Sequence, residues 1–359
     1  MLAWLHGDPL PWLLEADDPG PRYLALREVL GACAGEAELR AARRAAHRAG
    51  PIAAVLAHMR PEGYWVKPGP GYSPKYRSTV WALTLLAELG ARVEEDARIA
   101  TACAYVLDHT LTPGGQFTTS PSGSAVGTID CLQGNLCWAL TALGCTDARL
   151  KGAFEWMARS VTGEGVAPVG DRTAPVHYFG YKLGPTFTCS ANNRQPCAWG
   201  GVKVMLAFGQ WPRRQRTALM KRAIAHGAEF LLAGDPAAAD YPHGSNARPS
   251  TSWFTFGFPV FYVTDVLQNV AALAALGYGR DPRLTGALEW VLNRQDGHGR
   301  WALEYDYAGK TWFDFGPKRQ PNKWVTVRAL SALKAADQPA TSSAQRERGT
   351  DEQAPRPMD

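Results

Sequence analysis

The chain has 359 residues, 46% of them hydrophobic and 20% charged, with a formal net charge of +5. That apolar content suits a large buried core and excludes a disordered chain, and the charge is too small and too scattered for a nucleic-acid surface. No apolar run approaches the roughly 18 residues that span a bilayer, and the start, Met1-Leu2-Ala3-Trp4-Leu5-His6, lacks the basic segment of a secretory signal. A cytoplasmic protein without a transmembrane segment is expected, and peripheral contact with a membrane surface is compatible with the same composition.

An apolar helix that usually ends in Leu-Gly, followed by a second helix, returns along the chain. A degenerate copy lies at 23–31. Plain copies follow in Trp81-Ala82-Leu83-Thr84-Leu85-Leu86-Ala87-Glu88-Leu89-Gly90 and Leu136-Cys137-Trp138-Ala139-Leu140-Thr141-Ala142-Leu143-Gly144, with others at 197–208, 266–277 and 324–333. Returns every ~50 to 70 residues are those of stacked supersecondary units. The Gly can close a helix in the left-handed conformation, and Asp96-Ala97-Arg98, Asp147-Ala148-Arg149 and Asp281-Pro282-Arg283 read as N-caps of the second helices, the last with Pro at the first helical position.

First helices are apolar on nearly all sides and second helices carry a narrower stripe, so the first are expected inside and the second outside. About five to six such hairpins, the last incomplete, predict an all-α fold closed as an α/α toroid. Residues 1–336 are assigned to this single domain and 337–359 to a disordered polar tail. Arg40-Ala41-Ala42-Arg43-Arg44 and Arg213-Arg214-Gln215-Arg216 fall on predicted outer helices and read as solvated faces.

The loops leading into the inner helices are long and rich in Gly and aromatics, as in Pro61-Glu62-Gly63-Tyr64-Trp65, Thr112-Pro113-Gly114-Gly115-Gln116-Phe117 and Gln295-Asp296-Gly297-His298-Gly299-Arg300-Trp301. They share one end of the ring, where function is expected, while short connections close the other. The Gln295 to Trp301 run resembles the Gln-Trp motif of squalene and oxidosqualene cyclases, and the Gly-rich loop with its Leu-Gly helix resembles the prenyltransferase and squalene-cyclase repeat over roughly residues 22–334. The resemblance implies the toroid of terpenoid cyclases and protein prenyltransferases, with a central pocket for isoprenoid chains. The Gln-Trp motif is structural and speaks for fold alone.

Ile129-Asp130-Cys131-Leu132-Gln133-Gly134 is similar to the Asp-Cys-Thr-Ala-Glu motif of oxidosqualene cyclases in its Asp-Cys step only. That likeness implies Asp130 as a protonating acid and Cys131 as its neighbour. An acid able to protonate an alkene needs a dry pocket that keeps it protonated; the plainer reading of Asp130 is a helix N-cap. Asp265, at another inner-helix start, is the second candidate acid, or half of a capping pair with Thr264. A prenyltransferase-like zinc site could draw on Asp130, Cys131, Cys189, Cys197 and His177 or His243, although no finger spacing is present. A lanthionine-cyclase-like site is suggested only by Pro196-Cys197 and Pro242-His243-Gly244. Metal and cofactor are therefore unassigned. The odd count of seven cysteines in a chain without an export signal disfavours disulfides.

Trp65, Lys75, Tyr76, Arg77, Trp253, Phe256, Tyr262, Lys323 and Trp324 are the candidate substrate-binding residues. Lys75, Arg77, Lys323 and Arg328 could hold a diphosphate or pair with Asp130, Asp265 and Glu304 across the barrel end. Aromatic rings could stabilise carbocations in the pocket or simply fill the core. The expected function is a terpenoid cyclase-like or prenyltransferase-like protein with an aromatic-lined pocket for an apolar or isoprenoid-like small molecule; the alternative is a non-catalytic binding or scaffold toroid.

Overall fold

The computed structural model describes residues 4–123, 127–165, 167–168, 177–178 and 183–338. The helices run in chain order: α1 (Leu10–Leu13); α2 (Pro19–Leu24), which continues into a π-helical stretch (Ala25–Leu30); α3 (Ala37–Arg48); α4 (Gly50–Ala57); α5 (Thr79–Glu88); α6 (Ala97–Thr110); α7 (Asp130–Leu143); α8 (Arg149–Thr162); α9 (Ala198–Gln210); α10 (Ala218–Leu232); α11 (Val266–Ala275); α12 (Thr285–Leu292); and α13 (Lys323–Asp337). Among the described residues strands are two residues long, and the three at Leu183–Gly184, Thr188–Cys189 and Gln195–Pro196 form a small antiparallel ribbon leading into α9. The expected tail starts at the last residue of α13, and 339–359 lie outside the described residues.

The chain is an all-α toroid. The π-helical stretch, α5, α7, α9, α11 and α13 stand side by side as an inner ring, and α13 returns to the π-helical stretch. The remaining seam closes where Gly90 leaves no room for a side chain against Leu24 and Tyr23. Helices α6, α8, α10 and α12 each cover the inner helix before them, and α3 and α4 cover the first. The burial contrast follows the composition: every residue of α5 except Glu88 is buried, whereas α8 buries one face only. The α7–α9 pair packs closest because a side chain at Gly134 would collide with the backbone of Lys203 and Val204.

The repeat motifs act as fasteners. Gly31, Gly90, Gly144 and Gly277 all hold positive φ just after an inner helix, as the Leu-Gly endings predict. Asp96, Asp147 and Asp281 accept the backbone N–H two residues on, at 3.0, 2.9 and 3.0 Å. In each motif the Arg folds back onto its Asp, and Arg149 and Arg283 reach on to Asp108 of α6 and Glu229 of α10 at 2.7 and 2.9 Å. Outer helices α8 and α12 are thus each clasped to the outer helix before them.

The Gly-aromatic loops are pinned at both sides. The Trp65 indole donates to the Val55 carbonyl and the Trp301 indole to the Val291 carbonyl, both at 2.8 Å. Their backbone N–H groups donate forward to Thr79 and Thr326 of the next inner helix, at 3.2 and 3.0 Å. Gln295 accepts the His6 N–H at 2.8 Å and donates to the Trp4 carbonyl at 3.3 Å, so the Gln-Trp run ties the first described residues to the last outer helix and completes the ring.

Candidate ligand cavity

The apolar inner helices cannot fill the axis of their own ring, and residues 257–264 supply part of the filling. This loop dips between the inner helices at the long-loop end. Phe258 stacks on Trp324 with centroids 5.0 Å apart, and Phe261 meets Tyr76 and Tyr307 at 5.2 and 4.9 Å and the edge of Trp81 at 5.6 Å. The loop is held by Glu88, whose carboxylate accepts the Val260 and Phe261 N–H groups at 2.9 and 3.1 Å.

The long-loop half is therefore packed with rings, and the open space lies in the other half. A cavity of about 480 Å³ runs along the ring axis, within the range of small-molecule sites. Phe258 and Val260 form its floor, and Leu24, Trp138, Leu206, Leu267, Ala271 and Val327 are among its walls. Its rim includes Glu28, Gln210 and Ala275, exposed residues at the C-terminal ends of inner helices. The mouth is thus at the short-loop end, opposite the end the loop lengths predict. The reason is steric: the long loops carry so many large side chains that they close their own end.

Polar groups gather towards the floor. Lys203, 1% exposed, donates to the Val263 carbonyl at 2.9 Å and to Gln268 Oε1. Arg328 donates to the Gly257 carbonyl at 2.5 Å and with one nitrogen to both oxygens of Asp265, at 3.2 and 3.1 Å. Burial pulls the Lys203 ammonium down to about 7, against the opposing pull of Glu88 and Asp265. Burial likewise raises the Glu88 carboxyl, while its two backbone donors, Arg328 and Lys203 work the other way. Asn135 also lines the cavity; it is 6% exposed and makes no side-chain hydrogen bond within the described residues.

Of the residues singled out from the sequence, Trp324 and Arg328 line this cavity. Trp65 is fully buried in its loop, Trp253 lies against Tyr241 at 5.3 Å, and Phe256 meets the edge of Trp290 at 5.3 Å. Tyr76 and Tyr262 belong to the aromatic plug, with the Lys75 ammonium 4.3 Å from the Tyr262 ring. Arg77 is exposed and donates to the Gly309 carbonyl at 3.0 Å, and Lys323 pairs with Glu15 at 2.8 Å. The four basic residues do not converge on one anion site. Asp265 caps α11, accepting the Gln268 N–H at 2.6 Å, and is 2% exposed behind Arg328.

Asp130 differs from the cap its sequence context suggests. Ile129 occupies the N-cap position of α7 without a side-chain bond, and Asp130 is the first helical residue. Its side chain is turned onto Gly200 of α9, and its Oδ2 is buried without a hydrogen-bond partner. Burial first, then the nearby Cys189, pushes its carboxyl up to about 8, so it keeps its proton at neutral pH. The neighbouring Cys131 thiol is pushed up to about 12 by the same burial. Asp130 and Cys131 lie outside the cavity lining. Cys189 and Cys197 share a hydrogen bond that lowers Cys189 and raises Cys197. His243 bonds to the Tyr241 carbonyl at 2.8 Å, and the His177 side chain lies outside the described residues. Among the described residues no three His, Cys, Asp or Glu side chains form a metal-binding group.

Glu88, Lys203 and Asn135 were not singled out by motif. The signal was nonetheless present: a Glu near the end of the apolar 81–89 run and a Lys in 197–208 are charges on helices whose composition demands burial.

No family model matches the chain, and no curated protein matches it. Solved structures do. A protein from Actinoplanes aligns over 89% of this chain and 90% of its own at 15% identity, with a TM-score of 0.42. The type II terpene cyclase MstE from Scytonema, in its apo form, aligns over 82% of this chain and 97% of its own at 14% identity, with a TM-score of 0.32. A variant of MstE in complex with its substrate, geranylgeranyl dihydroxybenzoate, aligns over the same 82% and 97% at 15% identity, with a TM-score of 0.34. These similarities are weak and do not assign a reaction to this chain. Among the described residues no helix is long and apolar enough to cross a membrane.

Proposed function

We propose that this terpenoid cyclase-like toroid binds an apolar, isoprenoid-like small molecule in its central cavity. One observation carries the reading: about 480 Å³ of space on the ring axis, walled mainly by apolar side chains and open at a rim of helix ends. A core that needed only stability would close such a space, because unfilled volume forfeits packing contacts. The test uses a C15 hydrocarbon, farnesene, and the matching alcohol, farnesol. A ligand at a hundred times its Kd stabilises the native state by about 2.7 kcal/mol, which for a domain of this size raises Tm by about 4 °C. Ala271→Trp, which places an indole in the cavity, is expected to fold and to abolish the shift. Shifts that survive in a folded Ala271→Trp protein, or no shift with either ligand, would remove the reading.

A second reading, acid-initiated cyclisation, is favoured by Asp130, a buried carboxyl that holds its proton at neutral pH and has one oxygen unpartnered. It stands second because Asp130 faces the α7–α9 seam and lies outside the cavity lining.

A further inference from the structure

The charges around the cavity cancel. Near the floor Lys203 and Arg328 stand against Glu88 and Asp265, and Arg328 is held by Asp265 at 3.1 Å. At the rim Arg27 pairs with Glu28 at 2.5 Å and Arg92 with Glu94 at 2.9 Å. Of the cations that line the cavity, Arg27, Arg92 and Arg328 are in ion pairs, and the Lys203 ammonium is taken up by the Val263 carbonyl and Gln268 Oε1, with Glu88 and Asp265 balancing its charge at longer range. Burying a carboxylate or diphosphate here would put uncompensated charge into a low-dielectric space, the most costly kind of burial.

What the cavity does offer is amide chemistry. Asn135 is 6% exposed, lines the cavity, and makes no side-chain hydrogen bond among the described residues. An amide buried to this degree without a partner is costly, and a ligand that supplies one relieves that cost. Gln268, also on the wall, gives its Oε1 to Lys203 and keeps its Nε2 without a protein acceptor among the described residues. Together they present both a donor and an acceptor to a bound molecule.

Resting on the cavity reading above, we propose that the bound molecule carries a neutral hydrogen-bonding end group, a hydroxyl or carbonyl, seated at Asn135 and Gln268, and carries no diphosphate or carboxylate. The isoprenoid-like ligand is then an alcohol, ketone or aldehyde. The charged residues at the floor serve the fold by anchoring residues 257–264, through Glu88 at Val260 and Phe261 and through Arg328 at Gly257.

The experiment compares farnesol, farnesene and farnesyl diphosphate by quenching of tryptophan fluorescence, since Trp138 and Trp324 line the cavity. In the native protein farnesol is expected to bind about 10-fold more tightly than either of the other two, the effect of one well-made hydrogen bond. Asn135→Leu, similar in size but without the amide, is expected to weaken farnesol about 10-fold and to leave farnesene unchanged. Farnesyl diphosphate binding as tightly as farnesol, or farnesene doing so, overturns the proposal while the cavity reading stands. An Asn135→Leu protein that loses both uncharged ligands equally also overturns it. Should that variant fail to fold, the three-ligand series on the native protein decides alone, and binding of none of the three removes the cavity reading and this one together.

Discussion

Replacing Asp130 by Asn converts a titrating group into a neutral one of nearly the same shape, and its effect on stability is expected to depend on pH in a defined direction. In the unfolded chain an Asp titrates near 3.9, whereas burial at the start of α7 pushes Asp130 up to about 8. Between those values the native state binds a proton that the unfolded state has lost. Native stability therefore falls as pH rises through this window and levels off above the native pKa. Each unit corresponds to about 1.4 kcal/mol, so the unfolding free energy of the native sequence, minus that of Asp130→Asn, should drop by about 3 kcal/mol between pH 5 and 7. Urea unfolding of both proteins at pH 5, 6, 7 and 8 measures this difference, in which the titrations common to both cancel. The titratable groups acting beside Asp130 are Cys131 and Cys189, with Lys203 reaching Cys131. Cys189 is lowered by its bond with Cys197 and enters the same window, so the pair is also measured with Cys189→Ser. A difference that stays flat with pH, in both backgrounds, would show that Asp130 is ionised in the native protein and would remove the basis for treating it as an acid held in reserve.

The ring was legible in the sequence because its fasteners are local. A Gly one or two residues beyond an apolar helix, an Asp two residues before an Arg, and an indole ten residues after its carbonyl partner all act within one repeat, so their spacing survives in the linear text. The cavity was less legible because it depends on how the inner helices share one axis. Loop length pointed to the long-loop end, yet the volume of Phe258, Phe261, Tyr76 and Tyr307 decides which half is filled, and volume in three dimensions is not a spacing. Asp130 shows the same limit from the other side. Its residue type at a helix start suggests a cap, but a cap needs the residue one place earlier, and Ile129 occupies that place. Glu88 and Lys203 were passed over because no motif marks them, although a charge on an apolar helix is itself a signal, and both proved to anchor or face the loop that shapes the cavity floor.

Trp301→Phe removes the indole N–H that satisfies the Val291 carbonyl at 2.8 Å, and, at a fully buried position, also leaves part of the space of the larger indole unfilled. It should cost about 2 kcal/mol or more in urea unfolding, combining a lost hydrogen bond, a carbonyl left dry and a small cavity, and a loss under about 0.5 kcal/mol, the low end for a net hydrogen bond, would show that the indole does not pin the loop. The stronger test of the cavity floor is Glu88→Gln. The carboxylate accepts from both Val260 and Phe261, at 2.9 and 3.1 Å, with one oxygen to each. A carboxamide has a single oxygen, so one of the two N–H groups must face an NH₂ donor, and the attraction of Lys203 and Arg328 for the carboxylate is lost as well. A charge-assisted hydrogen bond is worth about 1.5–3 kcal/mol, so a loss of about 3 kcal/mol is expected. Because the site holds a loop and not a helix, the loss should be local as well as global: amide hydrogen exchange at Val260 and Phe261 should accelerate about 100-fold relative to the amides of α7, which Glu88 does not touch. Equal acceleration in both places would show that Glu88 supports the ring as a whole, and unchanged exchange at Val260 and Phe261 would show that the loop is seated by its aromatic contacts alone.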